Sequence, residues 1–289
     1  MNRSGSVKWR AGGRGVVENC FRRSNGRLWC ADVLDPSAKL KIGTCAWSFE
    51  DWRGSFYPEH LPPAERLAFY ARHFDSVEVD STFYSAPTPQ VAQHWAERTP
   101  PEFVFTCKLP REITHDRKLR DSQELVHEFL RAIEPLRSKL GCVLVQLPPF
   151  FQIRQDEAAL RGFVESLPRE VRWAIEFRHD GWHLPRIVHL LESQRICWVW
   201  NDVTPLDHQE EGAFEFLPTT TDFAYVRLMG DLKTKPRRDE VRASHRYDRL
   251  AWPRDSSLES WSVRLRQCVE EFSRVYVYAN NHFEGFSPL

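Results

Sequence analysis

The stretch that decides the fold is Arg172–His179, RWAIEFRH. Trp173, Ala174 and Ile175 form a short apolar strand core, and Glu176, Arg178 and His179 arrive where that strand should end. A run of this length, dense in β-branched and aromatic residues, reads as a strand, and charge at its end needs solvent, a partner or a ligand. The pattern recurs along the chain. Other apolar runs finish in Glu78-Val79-Asp80, Lys108, Gln146, Asn201-Asp202, Arg227 and Asn280-Asn281.

Working outward, eight strand-like runs alternate with helix-length segments. The runs are 40–45, 76–80, 103–108, 141–146, 172–177, 196–200, 223–228 and 274–279. The helical segments are 64–74, 87–98, 122–139, 157–166, 184–194 and 258–272, and Thr88 precedes Pro89 as a cap with proline in the first turn. Such alternation predicts an α/β chain of the TIM type, a (β/α)8 barrel whose final outer helix is missing or very short. The runs are continuously apolar, as parallel strands covered by helices are. A doubly wound sheet is the alternative topology.

The 289 residues suit one barrel domain over 39–289, preceded by residues 1–38, a basic extension expected to be flexible or loosely packed. Lysine plus arginine and aspartate plus glutamate both number 40, so overall charge favours neither a nucleic-acid coat nor a membrane surface. The seven cysteines include no CxxC pair, which argues against a zinc or disulfide framework. No apolar run reaches the length of a membrane span and no signal segment opens the chain, so the expected location is cytoplasmic.

Several blocks in order resemble one known family. They are Gly43–Pro58 (GTCAWSFEDWRGSFYP), Val77–Tyr84 (VEVDSTFY), Trp95–Pro100 (WAERTP), Phe103–Lys108 with Ile113–His115, Val145–Pro149 (VQLPP), Ala174–His179, Tyr225–Arg227 and Tyr278–Asn281. Over about residues 41–287 the chain is similar to the domain-of-unknown-function 72 family, also called YecE-like. The resemblance implies a TIM-barrel fold and supplies no reaction.

In a barrel, the C-terminal strand ends converge on one face. Alternation puts Glu176 and Arg178 on a common side of their strand, and Glu78 and Asp80 on a common side of theirs. The candidate acid–base residues are Glu176, Glu78, Asp202, His115 and His179, with Glu176 favoured for proton transfer. The candidate ligand-binding residues are Arg178, Arg227, Lys108, Trp47, Tyr84, Asp80, Gln146, Asn280 and Asn281. The same charges also read as ion pairs that close the barrel end, Glu176 with Arg178 and Glu78 with Lys108 or Arg227. The loop aromatics Trp47, Phe49, Trp52, Phe56, Tyr57, Phe83, Tyr84 and Trp182 read either as a pocket wall or as packing beneath the loops.

No metal-binding, phosphate-loop, dinucleotide or serine-nucleophile motif occurs, so no cofactor is expected, with a divalent metal on carboxylates and histidine as the alternative. The expected partner is a small phosphate- or carboxylate-bearing molecule, handled by a hydrolase or phosphodiesterase-like reaction. A nucleotide- or nucleic-acid-binding barrel without turnover is the second reading, drawing on the basic segment 233–249. A structural or partner-binding protein is the third, with a homodimer covering the seam left by a missing helix.

Overall fold

In the computed structural model, the described residues are 39–202, 217–230, 247–248, 255–281 and 286–288. The expected N-terminal extension 1–38, and the basic segment 233–249 apart from 247 and 248, lie outside them.

Nine strands are described: β1 Leu40–Thr44, β2 Ser76–Val79, β3 Val104–Lys108, β4 Leu140–Gln146, β5 Trp173–Glu176, β6 Cys197–Trp198, β7 Trp200–Asn201, β8 Phe223–Leu228 and β9 Arg274–Ala279. All pair in parallel, in a five-stranded sheet ordered β2-β3-β4-β5-β6 and a four-stranded sheet ordered β1-β9-β8-β7. Between the strands run α1 Arg66–Tyr70, α2 Pro89–Glu97, α3 Gln123–Ile133, α4 Ile153–Ser166, α5 Pro185–Gln194 and α6 Asp255–Glu271. The fold is therefore α/β, with two parallel sheets and several helices.

The sixth expected strand is broken at Val199. Its amide still donates to the Ile175 carbonyl (2.9 Å), whereas Trp200 already pairs with Val226 of β8. On the free edge of β6 the Thr220 hydroxyl accepts from the Trp198 amide (2.8 Å) and donates to the Ile196 carbonyl (2.6 Å). One side chain thus stands where a neighbouring strand would continue the ladder. Strand ends elsewhere fall close to expectation, and Thr88 caps α2 by accepting from the Val91 amide.

Period-two alternation sorts the sheets into two apolar layers. The larger cluster faces the helices and contains Val77, Val79, Phe105, Cys107, Val143, Val145, Trp173, Ile175, Phe177, Val226 and Val277. The smaller one lies on the opposite side and draws on both sheets: Val104, Cys142, Leu144 and Ala174 from one, Phe223, Tyr225, Tyr276 and Tyr278 from the other. Glu78, Thr106, Glu176 and Arg227 have the parity of this inner layer. The inner side therefore carries both a small apolar core and the buried charges.

β1 meets β2 through an isolated parallel bridge between Cys45 and Glu78. Gly43 makes that approach feasible, since a Cβ there would stand 2.0 Å from the Ser76 carbonyl oxygen and 3.2 Å from the Tyr278 ring. Backbone cannot yield as a flexible side chain can. Gly43→Ala is expected to lower stability by about 1–3 kcal/mol, the usual cost of overpacking a filled site. Denaturant midpoints compared with wild type check this, and an unchanged midpoint would show that the two strands are not held at this distance.

Candidate functional site

The strand register brings the polar ends of β2, β3, β5 and β8 together. Arg227, fully buried on β8, donates from Nε to Glu78 Oε2 (2.9 Å) and from Nη2 to Glu78 Oε1 (2.6 Å). Its Nη1 reaches Glu176 Oε2 at 2.5 Å. Two buried carboxylates from β2 and β5 thus clasp one guanidinium from the other sheet. Glu78 Oε2 also accepts from the Tyr225 hydroxyl (2.5 Å), and the Thr106 hydroxyl lies 3.0 Å from that same phenol oxygen. Since Tyr225 gives its proton to Glu78, Thr106 is left to donate to Tyr225.

Nearer the loops the network becomes partly exposed. Arg178 Nε bonds to the second oxygen of Glu176, and its side chain is 15% exposed. Lys108 Nζ lies 3.3 Å from Asp80 Oδ1 and 4.3 Å from the Phe83 ring centroid, while Arg227 Nη2 is 3.8 Å from the same Asp80 oxygen. Glu78, Asp80 and Glu176 balance Lys108, Arg178 and Arg227. The two glutamates are fully buried, Lys108 is nearly so, and Asp80 and Arg178 are partly exposed.

His115 sits in a wide, π-type turn, Glu112–Asp116, directly after the β3 loop. Its Nδ1 is 2.8 Å from the Thr114 hydroxyl, and its ring meets Phe83 edge-on at 4.9 Å and Phe150 at 6.2 Å. Burial, then the positive charges of Lys108 and Arg111, push its imidazole down to about 4. It is therefore neutral at pH 7. For Glu176, burial raises the carboxyl pKa, but Arg178 and Arg227 together outweigh it and leave the group below its ordinary value. Burial pushes the Cys45 thiol well above its ordinary range, reinforced by Glu78.

The other expected site residues lie in the following surroundings. Asp202 brackets the end of β8 by accepting from the amides of Met229 (2.6 Å) and Gly230 (3.2 Å). His179 Nδ1 accepts from the Gly181 amide (3.0 Å), closing the turn after β5. Gln146 donates to the Leu147 carbonyl, and Asn281 accepts from Ser287. The Asn280 amide donates to the Leu228 carbonyl. Trp47 packs edge-on against Trp95, 5.5 Å between ring centroids, and Tyr84 is 81% exposed. Of the remaining loop aromatics, Trp52, Tyr57 and Trp182 are buried, the last stacked between Phe151 and Phe177 under the end of β5.

Three residues of the network escaped the sequence reading: Cys45, Thr106 and Tyr225. Parity holds the signal for two of them, because Tyr225 precedes Arg227 by two and Thr106 precedes Lys108 by two. Donor atoms of Cys45, Glu78 and Asp80 all lie within 4.8 Å of one another, a spacing capable of coordinating a metal ion. The next residue, Ala46, has φ 107°, a strained conformation for a side chain with a Cβ.

A sequence profile of the family described as "Protein of unknown function DUF72" matches residues 41–289. The chain belongs to this family. UPF0759 protein YecE of Escherichia coli K12 is 42% identical over 113 residues, which span 39% of this chain and 41% of YecE. UPF0759 protein YunF of Bacillus subtilis is 27% identical over 262 residues, 85% of this chain and 90% of YunF. The crystal structure of a DUF72 family protein from Thermotoga maritima superposes with a TM-score of 0.70 at 31% identity, covering 86% of this chain and 95% of that one. A DUF72 family protein from Enterococcus faecalis matches the fold at a TM-score of 0.68 and 21% identity, over 86% and 91% of the two chains. The chain is thus a barrel-type DUF72 member whose buried Cys–Glu–Asp cluster is compatible with a catalytic, metal-binding or anion-binding site. Among the described residues, no helix is long and apolar enough to cross a membrane.

Two outcomes follow from these charges. Arg227→Met strands two buried carboxylates and is expected to cost about 3–5 kcal/mol, whereas the apolar triple Glu78→Leu, Glu176→Leu, Arg227→Met should recover most of that loss. Urea unfolding of both variants checks the pair, and equal destabilisation would contradict the charge account.

The second outcome is a pH dependence. His115 and Glu176 both have folded pKa values below their unfolded ones, so each contributes stability that is present above its unfolded pKa and lost as pH falls. Unfolding free energy should drop between pH 6.5 and about 4 through His115, with Glu176 adding to the loss below about pH 4.3. His115→Gln should flatten the upper part of that profile, and an unaltered profile would remove His115 from it.

Proposed function

We propose that the two sheets close as a (β/α)8 barrel, and that its strand ends form an anion-binding catalytic site acting on a small phosphate or carboxylate ester. Closure is supported by the Cys45–Glu78 bridge between the sheets, by β6 and β7 adjoining in the chain, and by an inner core drawn from both sheets. Barrel chemistry belongs at the C-terminal strand ends, where these charges lie.

One observation carries the functional reading. Arg178 is anchored through Nε to Glu176, its side chain is partly exposed, and among the described residues its two terminal nitrogens have no hydrogen-bond partner. Oriented donors above a fixed, charge-neutral base form a preorganised anion clamp.

Proton transfer is placed on His115 and Asp80 rather than on Glu176. Both Glu176 oxygens already accept from arginines, and a carboxylate held below its ordinary pKa is a poor general acid. Asp80 Oδ1 has no hydrogen-bond donor although it lies near Lys108, and the His115 imidazole is neutral with Nε2 unpaired among the described residues. In this reading Glu78 and Glu176 position Arg227 and Arg178.

The donor spacing of Cys45, Glu78 and Asp80 suits an ion, but their chemistry disfavours one. Glu78 is saturated by Arg227 and Tyr225, and the buried thiol keeps its proton. A dication would have to displace Arg227 and deprotonate Cys45. We therefore propose a reaction that needs no metal.

Calorimetric binding of inorganic phosphate, together with turnover of a panel of phosphate and carboxylate esters with and without chelator, tests this reading. Arg178→Ala should weaken phosphate binding about 10- to 100-fold, as loss of a charged hydrogen bond does. His115→Gln should keep binding and slow turnover about 100-fold or more. If Glu176→Gln abolishes turnover with phosphate affinity intact, the proton-transfer role belongs to Glu176. Activity lost to the chelator would reinstate the metal.

A further inference from the structure

The site does not end at the charges. Phe83 carries Lys108 over its ring, meets Tyr84 edge-on at 5.2 Å and meets His115 edge-on at 4.9 Å; His115 in turn meets Phe150. The two ends of this aromatic series are open to solvent, Tyr84 at 81% and Phe150 at 53% exposure. These are large rings left uncovered and linked through Phe83 and His115 to Lys108. Lys118 Nζ lies 5.3 Å from the Phe150 centroid and brings a further positive charge to this side.

Resting on the anion site argued above, we propose that Tyr84 and Phe150 form a stacking shelf, so that the ligand joins an anionic group to a flat aromatic ring, as a nucleoside phosphate does. The arrangement matches that chemistry in both parts. A planar ring covers the exposed faces of Tyr84 or Phe150, which water solvates poorly, and any nucleobase offers such a face. The phosphate meets Arg178 and Lys108, with Lys118 adding to the attraction. A purely anionic ligand would leave both exposed rings bare. A purely aromatic one would leave the Arg178 donors unused.

The centre of the series is held in place. Phe83 is pinned between Lys108 and His115, and His115 is fixed through Thr114 in its wide turn. Phe150 follows Pro148 and Pro149, whose fixed φ angles restrict where it projects. The outer edges of the series can therefore receive a ring without rearrangement of its centre.

Calorimetry with inorganic phosphate, adenosine and adenosine 5′-monophosphate tests the proposal on the full chain. The monophosphate should bind at least tenfold more tightly than either part. Tyr84→Ala and Phe150→Ala, both at exposed positions, should each weaken it several-fold or more, and together bring it to the level of inorganic phosphate. Equal binding of phosphate and the monophosphate, or ring variants that weaken both alike, would overturn the shelf while leaving the anion site standing. Failure of phosphate itself to bind, or indifference to Arg178→Ala, would instead remove the anion site. A 5′-phosphorylated single-stranded hexanucleotide assigns the source of the ring. Binding tighter than the monophosphate and still sensitive to Tyr84→Ala upholds the shelf on a strand terminus, whereas weaker binding upholds it on the free nucleotide.

Discussion

Arg227 is the side chain on which the architecture turns. It is carried by β8 in one sheet, yet its guanidinium is satisfied by Glu78 on β2 and Glu176 on β5 in the other. Removing three such ions from water is costly, and mutual attraction in a low-dielectric interior offsets the cost only when nearly every donor and acceptor is used. Here Glu78 is engaged at both oxygens by Arg227 and again by Tyr225, and Glu176 is engaged at both by different arginines. The ion cluster thus fixes how the two sheets face each other. It also explains why a glutamate at a strand end need not be a proton carrier.

From this buried base, orientation passes outward one bond at a time. Thr106 sets Tyr225, Tyr225 and Arg227 set Glu78, Arg227 and Arg178 hold Glu176, and only the last member keeps free donors. Thr106, Tyr225, Arg227, Glu78 and Glu176 sit on strands of packed sheets, and Arg178, two residues past the end of β5, is tied to that frame through its Nε bond to Glu176. Burial raises the Tyr225 phenol well above its ordinary range, keeping it a donor throughout the neutral pH range. The strained Ala46 lies in the same neighbourhood, one residue beyond the bridge that joins the sheets.

Much of the frame was legible because it depends on local period. Apolar runs that end in charge mark the strands, and alternation alone puts Glu78 and Glu176 on the side opposite their apolar neighbours. What period cannot encode is partner choice among distant residues. Arg227 and Glu78 are 149 positions apart, so the sequence reading offered Glu78 either Lys108 or Arg227 and treated Arg178 and Arg227 as equivalent clamps. The structure separates them, one buried as a tie and one partly exposed. Asp202 shows the same limit: a carboxylate at a strand end reads as a site residue, and nothing local in the sequence announces the two backbone amides of the loop after β8 that donate to it. The break at Val199 depends on Thr220, a hydroxyl 22 residues away from the amide it receives, and leaves no mark in the apolar run itself.

The neutral imidazole beside two cations gives the proposed chemistry its order of events. His115 is held down first by burial and then by Lys108, Arg111 and Arg178, so part of its reluctance to take a proton is electrostatic and part is not. An anion docked on Arg178 and Lys108 cancels the electrostatic part and leaves the burial in place. Linkage then requires that docking raise the affinity of His115 for a proton, and that protonation in turn tighten docking. In the empty site the imidazole is a weak base; with the anion present it moves towards the range in which it can deliver a proton to a leaving group. The deep glutamates are needed for this to work. Glu78 and Glu176 hold Arg227, and Glu176 anchors Arg178 from below, while the charges acting most strongly on His115 are those of Lys108 and Arg111.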